Sequence, residues 1–295
     1  MSFENLIGND KIKEILNNTI KTKKVMHSYM FIGPNGIGKT LFAKEFAKMI
    51  LCMGNDKLPC NNCKSCIELE NNNNPDFIEI EPDNGTIKIE AIRRMQQTVL
   101  EKPIISNKKV YIIKDADLMT KEAGNCLLKT LEEPPSYITI IMTGSNESMF
   151  LNTIKSRCAK ILFQKIPDNI LKEFLEEKYN INLEESLLKA CEGSIGKALI
   201  VNEKKEQYEN ISKIFGNIEN YKLIDVINNL EFIYKNKEDI YQNLDYINII
   251  LSDNALKNPK YLKYIEAVEQ TKKNLKSNSN YDMSIDSMLY KIWEE

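Results

Sequence analysis

The sequence predicts an α/β fold with a parallel sheet, followed by a purely helical C-terminal region. Strand and helix patterns alternate through the first 166 residues, and a glycine-rich loop lies between the first strand pattern and the helix after it. The strand patterns end near Pro167. Strands that alternate with helices are typical of a parallel sheet covered on both faces.

Each predicted element in the first part of the chain follows from its apolar periodicity. The strands are short apolar runs at Tyr29–Ile32, Phe77–Glu81, Lys109–Ile113, Tyr137–Thr143 and Ala159–Phe163. The helices have apolar residues at helical spacing over Lys11–Thr22, Leu41–Lys48, Ile89–Leu100 and Thr120–Glu132. Pro134 and Pro135 stop the last of these helices, because proline cannot continue one.

Only helical patterns follow Pro167. Asp168–Tyr179 and Leu183–Cys191 are amphipathic, and the turn Gly193–Gly196 precedes another helical start. From about Lys204 onward the chain reads as helices of moderate length, rich in Ile, Leu and Tyr. The sequence therefore predicts an α/β core, a small helical lid and a separate helical C-terminal domain.

Composition limits the classes of protein that remain. A chain of 295 residues suggests two or three domains, and 42% hydrophobic residues are ample for their cores. The formal net charge of −2 gives no overall attraction to nucleic acid or anionic lipid, so DNA contact would need a local patch or an assembly. No run is long enough to span a membrane, and no signal-peptide core is present. We expect a soluble cytoplasmic protein.

The glycine-rich loop predicts a bound nucleotide. It fits G-x-x-x-x-G-K-[ST] and consists of Gly33, Pro34, Asn35, Gly36, Ile37, Gly38, Lys39 and Thr40. Glycines let backbone amides close around phosphates, and the following helix N-terminus adds positive potential. Lys39 would reach the β- and γ-phosphates, while the Thr40 hydroxyl would bind Mg²⁺. ATP or ADP with Mg²⁺ is the predicted ligand, but the motif alone does not name a reaction.

Four of the seven cysteines predict a metal site. Cys52, Cys60, Cys63 and Cys66 follow the spacing C-x7-C-x2-C-x2-C. Four thiolates with no open position describe a structural Zn²⁺ site between two helices. An iron–sulfur cluster also uses four cysteines, and a set of reduced, unbound thiols is a further alternative.

The end of the Lys109–Ile113 strand argues against hydrolysis by this chain. In P-loop ATPases an apolar strand ends in an aspartate that orders Mg²⁺, usually followed by a glutamate that activates water. Here Lys114 holds the first position and Asp115 the second. A shifted register would let Asp115 or Asp117 serve, but a lysine cation disfavours a tight metal site.

The chain resembles the bacterial AAA+ clamp-loader subunits of DNA polymerase III. The resemblance rests on the cysteine cluster after the first long helix and on five further segments within the first 200 residues or so. These segments are Phe3–Gly8, His27–Phe31, Asp115–Met119, Asn125–Pro135 and Ile154–Cys158. The stretches Leu-Leu-Lys-Thr-Leu-Glu-Glu-Pro-Pro and Ser-Arg-Cys are the most specific, whereas the C-terminal third matches only in helical character and length.

The resemblance implies the domain plan and the partners. It implies an AAA+ core over residues 1–166 with its zinc knuckle at 52–66, a lid over 167–204, and a C-terminal collar over 205–295 that joins an oligomer. The implied partners are gamma/tau and delta subunits, with the sliding clamp and primer-template DNA reached through the assembly. Polymerase activity is expected of the holoenzyme only, because no two-carboxylate polymerase site is evident here.

The family contains motor and non-motor subunits, and two positions favour the non-motor kind. The motor has Asp-Glu where this chain has Lys114 and Asp115. It also has an arginine that senses the γ-phosphate in the lid motif Gly-Ser-x-Arg, where this chain has Gly196. Many non-motor subunits have a degraded phosphate loop, whereas the loop here is intact, so nucleotide binding without hydrolysis is the expectation.

Arg157 is the predicted catalytic residue. The resemblance implies that it enters the ATP site of an adjacent subunit, where an arginine supplied in trans stabilises charge on the γ-phosphate. A surface arginine that pairs with a local carboxylate is the alternative. Two other functions stay open: a working ATPase of the gamma/tau kind, and a P-loop kinase, in which the Ser-Arg-Cys stretch has no role.

Overall fold

The computed structural model describes Phe3 and residues 6–55, 58–277 and 279–293. Glu4 and Asn5 of the N-terminal motif lie outside the described residues. The chain divides into two compact units, Met1–Leu171 and Lys172–Glu295. The finer division into a lid over 167–204 and a collar over 205–295 stays a prediction.

The first unit is built on a five-stranded sheet in the order β2-β3-β4-β1-β5, in which all neighbours pair in parallel. The non-consecutive order means that helices cross over between the strands, as in doubly wound α/β folds. The predicted parallel sheet is confirmed. Its strands are β1 Ser28–Ile32, β2 Phe77–Ile80, β3 Lys109–Ile113, β4 Ile138–Gly144 and β5 Ala159–Leu162.

Six helices lie wholly within the described residues of the first unit. Each one predicted from periodicity is present, with ends shifted by at most three residues. They are α1 Asp10–Lys21, α2 Lys39–Leu51, α3 Lys64–Glu70, α4 Ile89–Val99, α5 Lys121–Glu132 and α6 Asn152–Lys155. Short 3-10 turns follow β3 and β4, at Ala116–Leu118 and Glu147–Met149.

Two apolar clusters cover the two faces of the sheet. In β1, Tyr29 and Phe31 belong to one cluster, whereas Met30 belongs to the other. This alternation follows from the two-residue period of a strand. All residues of β1, β3 and β4 are buried, which explains why these strands read as uninterrupted apolar runs.

The second unit is helical throughout its described residues. Within it, the helix Ile240–Ala255 packs against the helices Lys205–Gly216 and Tyr261–Lys276, and the helix Tyr261–Lys276 packs against Tyr281–Trp293. Among the described residues, no helix combines the length and apolar character needed to cross a bilayer. α7 Asp168–Tyr179 spans the boundary between the units, followed by α8 Glu185–Cys191, α9 Ile195–Glu203, α10 Lys205–Gly216, α11 Leu223–Asn229, α12 Glu231–Lys235, α13 Ile240–Ala255, α14 Tyr261–Lys276 and α15 Tyr281–Trp293.

A fully buried carboxylate ties the cysteine-rich segment to the sheet. Asp76, just before β2, accepts hydrogen bonds from the amides of Ile104, Ile105 and Ser106, each at 2.7 Å. The Ser106 hydroxyl donates to the carbonyl of Leu51 at 2.9 Å. It also lies 2.8 Å from the hydroxyl of Ser65 in α3. The end of α2, the start of α3 and the loop before β3 are thereby joined.

We expect Asp76→Ala to destabilise the first unit by about 3 kcal/mol, because three buried amides would lose a charged acceptor. Urea unfolding followed by circular dichroism measures the change. Asp83→Ala is the matched control, since Asp83 is exposed and its removal leaves no buried donor unpaired. An unfolding free energy equal to that of the control would contradict the role assigned to Asp76.

Candidate functional site

The glycine-rich loop lies at the carboxyl end of β1 and leads directly into α2. The Gly33 amide donates to the carbonyl of Gly144, at the end of β4, over 3.2 Å. A Cβ atom on Gly33 would lie 2.7 Å from the backbone oxygen of Phe163, so no larger residue fits without movement. Gly36 and Gly38 have φ angles of 74° and 94°, which glycine adopts readily. The glycines therefore allow the tight turn that a phosphate-binding loop needs.

Lys39, the first residue of α2, is buried against this loop. Its Nζ donates to the carbonyl oxygens of Gly33 at 2.8 Å and Pro34 at 2.7 Å. Burial lowers the pKa of the ammonium group, while the charges of Asp115 and Asp117 act in the opposite direction. The side chain that is predicted to contact phosphate thus lies within the loop, and its role stays a prediction.

The lysine after β3 lies in an ion-pair network at the β2 edge of the sheet. Nζ of Lys114 lies 3.1 Å from Oε1 of Glu79 and also pairs with Glu81. The other oxygen of Glu79 binds Nζ of Lys44 in α2 at 2.9 Å. Burial alone would lower the pKa of Lys114, but its hydrogen bonds to Glu81 and Glu79 outweigh burial and raise it. Position 114 therefore holds a fixed cation.

The two aspartates that follow Lys114 have different surroundings. Asp115 is exposed, and its amide donates to the Thr143 hydroxyl at 3.1 Å. Asp117 is buried, and its Oδ2 accepts from the Ser145 amide at 3.0 Å, the Ser145 hydroxyl at 2.8 Å and the Asn146 amide at 3.0 Å. Asp117 therefore orders the turn after β4, which leaves Asp115 as the carboxylate without such a structural task.

The segment Gly193–Gly196 leads into the start of a helix in the second unit. The Ser194 hydroxyl accepts a hydrogen bond from the amide of Lys197 at 3.1 Å and so caps α9. Gly196 is the second residue of that helix, and Lys197 pairs with Glu192. Position 196, where the resemblance implies an arginine in motor subunits, thus offers no side chain in this protein.

The four clustered cysteines come together as a potential metal-binding group. Sγ atoms of Cys52, Cys60, Cys63 and Cys66 all lie within 4.8 Å of one another. A Cβ atom on Gly54 would lie 2.8 Å from Cβ of Cys60 and 3.1 Å from its Sγ, so this glycine makes room for the thiols. The cluster could hold a metal ion, and four sulfur ligands match a tetrahedral structural site.

Backbone amides support two of these sulfur atoms. Sγ of Cys52 accepts from the amides of Gly54 and Cys60, and Sγ of Cys60 accepts from that of Cys63, each at 3.3 Å. Hydrogen bonds from the Asn62 and Cys63 amides and from the Cys52 thiol lower the pKa of Cys60 to about 6. Burial raises the pKa of Cys66, and the Cys63 side chain adds to that rise. At least Cys60 is thus readily ionised, as a metal ligand must be.

Arg157 follows α6 and pairs with a carboxylate of its own subunit. Its Nη2 lies 2.8 Å from Oε1 of Glu132, the last residue of α5. Its Nη1 donates to the carbonyl of Thr153 at 2.8 Å and to the hydroxyl of Ser156 at 3.3 Å. The Arg157 backbone is fixed as well, since its carbonyl accepts from the Ser28 hydroxyl at 2.6 Å. The local ion pair is present, and the role in trans stays a prediction.

Several residues at these sites carry no sequence pattern that predicts their contacts. Glu79 and Glu81 alternate with apolar residues as any solvent-facing strand positions do, yet they hold Lys114. Gly54 carries no motif of its own, although it fits against two cysteines. Glu132 lies in the specific Leu-Glu-Glu-Pro-Pro stretch, and that specificity is the sequence signal that points to a task for this glutamate.

Comparison with known proteins identifies the family of this chain. A model described as DNA polymerase III, delta subunit, matches residues 8–167. The gamma/tau subunit of DNA polymerase III from Mycoplasma genitalium is 34% identical over 224 residues, which cover 72% of this chain and 37% of that protein. The delta' subunit from Bacillus subtilis is 31% identical over 204 residues, which cover 69% of this chain and 62% of that protein. The chain thus spans less than two thirds of these relatives.

Among solved structures, a DNA polymerase III gamma subunit-related protein from Thermotoga maritima matches with a TM-score of 0.49 and 18% identity. The match covers 95% of this chain and 98% of that one.

The strand order and the glycine-rich loop between β1 and α2 define a P-loop α/β protein of the AAA+ class. The chain belongs to the DNA polymerase III delta subunit family, and so to the clamp-loader subunits of that polymerase.

Proposed function

We propose that this chain is a non-motor clamp-loader subunit of the delta-prime kind. It binds ATP or ADP with Mg²⁺ in its own loop, does not hydrolyse ATP, and supplies Arg157 to the ATP site of a neighbouring gamma/tau subunit during sliding-clamp loading. Its partners are the gamma/tau and delta subunits. Through the assembly it acts on the sliding clamp and on primer-template DNA in bacterial replication.

The observation that carries this proposal is the Lys114 network. An ATPase of this class needs a carboxylate at the end of β3 to order Mg²⁺. Here that position holds a cation that is bound to Glu79 and Glu81. Because the ion pairs hold Lys114 in its charged form, the lysine cannot order Mg²⁺ from the end of β3, and the Thr40 hydroxyl remains the proposed ligand of the ion. This supports nucleotide binding without a complete hydrolytic site.

Two further observations support the non-motor role. Three hydrogen bonds commit Oδ2 of Asp117 to the turn after β4, which opposes its use in place of the missing carboxylate, although its buried Oδ1 has no hydrogen-bond partner. Gly196 in α9 supplies no side chain that could sense the γ-phosphate. Together with Lys114, these residues leave Asp115 at the expected position of the water-activating residue, with a lysine at the metal-ordering position before it.

We also propose Zn²⁺ as the metal of the four cysteines and residues 205–295 as the region that joins the oligomer. The four sulfur ligands with no open position favour zinc in a structural role. Leu262, Met283 and Tyr290 are exposed apolar residues on the last helices, and such side chains suit burial by assembly.

The second candidate is a motor of the gamma/tau kind. The intact loop from Gly33 to Thr40 favours it, and so does the similarity to relatives named gamma/tau. The lack of an acidic residue at position 114 opposes it. A P-loop kinase gives no role to Arg157 or to the cysteine cluster, so we place it third.

Nucleotide binding and turnover of the isolated chain separate these candidates. We expect a fluorescent ATP analogue to bind without release of phosphate, and Lys39→Ala to weaken that binding about 10- to 100-fold because a charged hydrogen bond to phosphate is lost. Lys21→Ala removes an exposed charge elsewhere and serves as the control. The wild-type chain should also stimulate ATP hydrolysis by a gamma/tau partner. Phosphate release by the chain alone that Lys39→Ala abolishes would instead identify a motor.

A further inference from the structure

We propose that Glu132 positions the guanidinium of Arg157 for its role in the neighbouring ATP site. The inference rests on the proposed function, because it deepens the role assigned to Arg157. It assigns a task to the Leu-Glu-Glu-Pro-Pro stretch, whose first glutamate lies 2.8 Å from Nη2 of the arginine.

Both residues of this pair come from rigid parts of the first unit. Glu132 ends α5, in which Leu127 and Leu131 are buried in the core. The main chain of Arg157 is held on both sides, because its amide donates to the carbonyl of Ile154 at 3.0 Å and its carbonyl accepts from Ser28 at 2.6 Å. The backbones of Glu132 and Arg157 therefore have a fixed separation, which allows the two side chains to meet in one geometry.

The contacts of Arg157 restrict its guanidinium but leave donors available. Thr153 and Ser156 accept hydrogen bonds from Nη1, and Glu132 forms an ion pair with Nη2. Among the described residues, no hydrogen bond is made by the Nε N–H or by Nη2. Arginine can bind a phosphate through two such N–H groups in parallel. The side chain is 34% exposed, so an incoming phosphate group can reach it.

This arrangement makes Glu132 a contact that orients Arg157 rather than one that competes with phosphate for its guanidinium. A carboxylate that competed would occupy the donors that the phosphate needs, whereas here it forms an ion pair with Nη2 and leaves the Nε N–H available. An arginine without this contact would sample many rotamers, and a misplacement of about 1 Å in a reacting constellation can cost about 100-fold in rate. An exposed ion pair contributes little to folding, so the chain should fold without it.

The test is the ATPase rate of a reconstituted clamp loader that contains gamma/tau, delta and variants of this chain. We expect Glu132→Ala to lower kcat about 10-fold or more, with KM for ATP and the melting temperature unchanged. Glu132→Gln keeps a polar oxygen beside Nη2 and should restore most of the rate. Glu133→Ala is the matched control, because Glu133 is the exposed neighbouring carboxylate and should leave the rate unchanged.

The double variant Glu132→Ala/Arg157→Ala distinguishes positioning from a separate structural effect. If Glu132 acts through Arg157, the double variant will be no slower than Arg157→Ala alone. The inference would be overturned if Arg157→Ala slows the complex but Glu132→Ala leaves the rate unchanged or raises it. It would also be overturned if the rate losses of the two single variants multiply in the double variant. A complex that is unaffected by Arg157→Ala would overturn the proposed function itself.

Discussion

Arg157→Ala is expected to lower the DNA-stimulated ATPase of a reconstituted clamp loader by about 10³-fold, the lower end of the range for an arginine supplied in trans. A loss of this size corresponds to about 4 kcal/mol of transition-state stabilisation. The chain itself should remain folded, because the ion pair with Glu132 is exposed and such pairs contribute less than about 1 kcal/mol to stability. Steady-state phosphate release in the presence of clamp and primer-template DNA measures the effect.

Lys160→Ala is the control for this substitution. Lys160 lies three residues further along the chain, is 38% exposed and pairs with Glu147, so its removal also breaks a surface ion pair. We expect a rate equal to that of the wild-type complex. If a complex that contains Arg157→Ala assembled normally and hydrolysed ATP as fast as the complex with Lys160→Ala, Arg157 would be only a surface residue with a local ion pair.

Loss of the cysteine site is the second large effect. Purified protein should contain one Zn²⁺ per chain, and Cys60→Ser/Cys63→Ser should contain none. Structural zinc binding contributes about 10 kcal/mol or more to the folding of small zinc domains, so the segment between α2 and α3 should lose its structure without the metal. Ser65 of α3 contacts Ser106 in the loop before β3, so loss of this segment also weakens the rest of the first unit. We therefore expect a melting temperature lower by about 10 °C.

Metal analysis and thermal unfolding test this expectation together. Cys126→Ser is the control, since Cys126 lies outside the cluster and its thiol donates to Oε1 of Gln96, a bond that a hydroxyl can replace. A metal-free protein with an unchanged melting temperature would refute the zinc site. Iron and acid-labile sulfide in place of zinc would support the iron–sulfur alternative.

The sheet was predictable because its strands carry strong local signals. The strand Lys109–Ile113 has the predicted bounds, since a buried apolar run is followed immediately by charged residues. The helix that ends at Glu132 was equally clear, because Pro134 and Pro135 follow it. Its start is one residue later than predicted, since Thr120 caps the helix with its hydroxyl rather than joining it.

The partners of the charged residues were not predictable, because they depend on the order of strands in the sheet. Lys114 and Glu81 are 33 residues apart in sequence and meet only because β2 and β3 pair in parallel. Arg157 and Glu132 likewise meet through the packing of α5 and α6 in one unit. Hydrophobic periodicity reports which face of an element is buried, but it does not report which elements become neighbours.

The network around Lys114 has a consequence for how this protein relates to hydrolysing members of its family. Substitution of Lys114 by aspartate would place a third carboxylate beside Glu79 and Glu81, and it would remove a cation that balances them. The resulting repulsion would oppose the aspartate unless these two glutamates changed as well. Positions 79, 81 and 114 are thus coupled, so that a metal-ordering carboxylate at the end of β3 would require several coordinated substitutions rather than one.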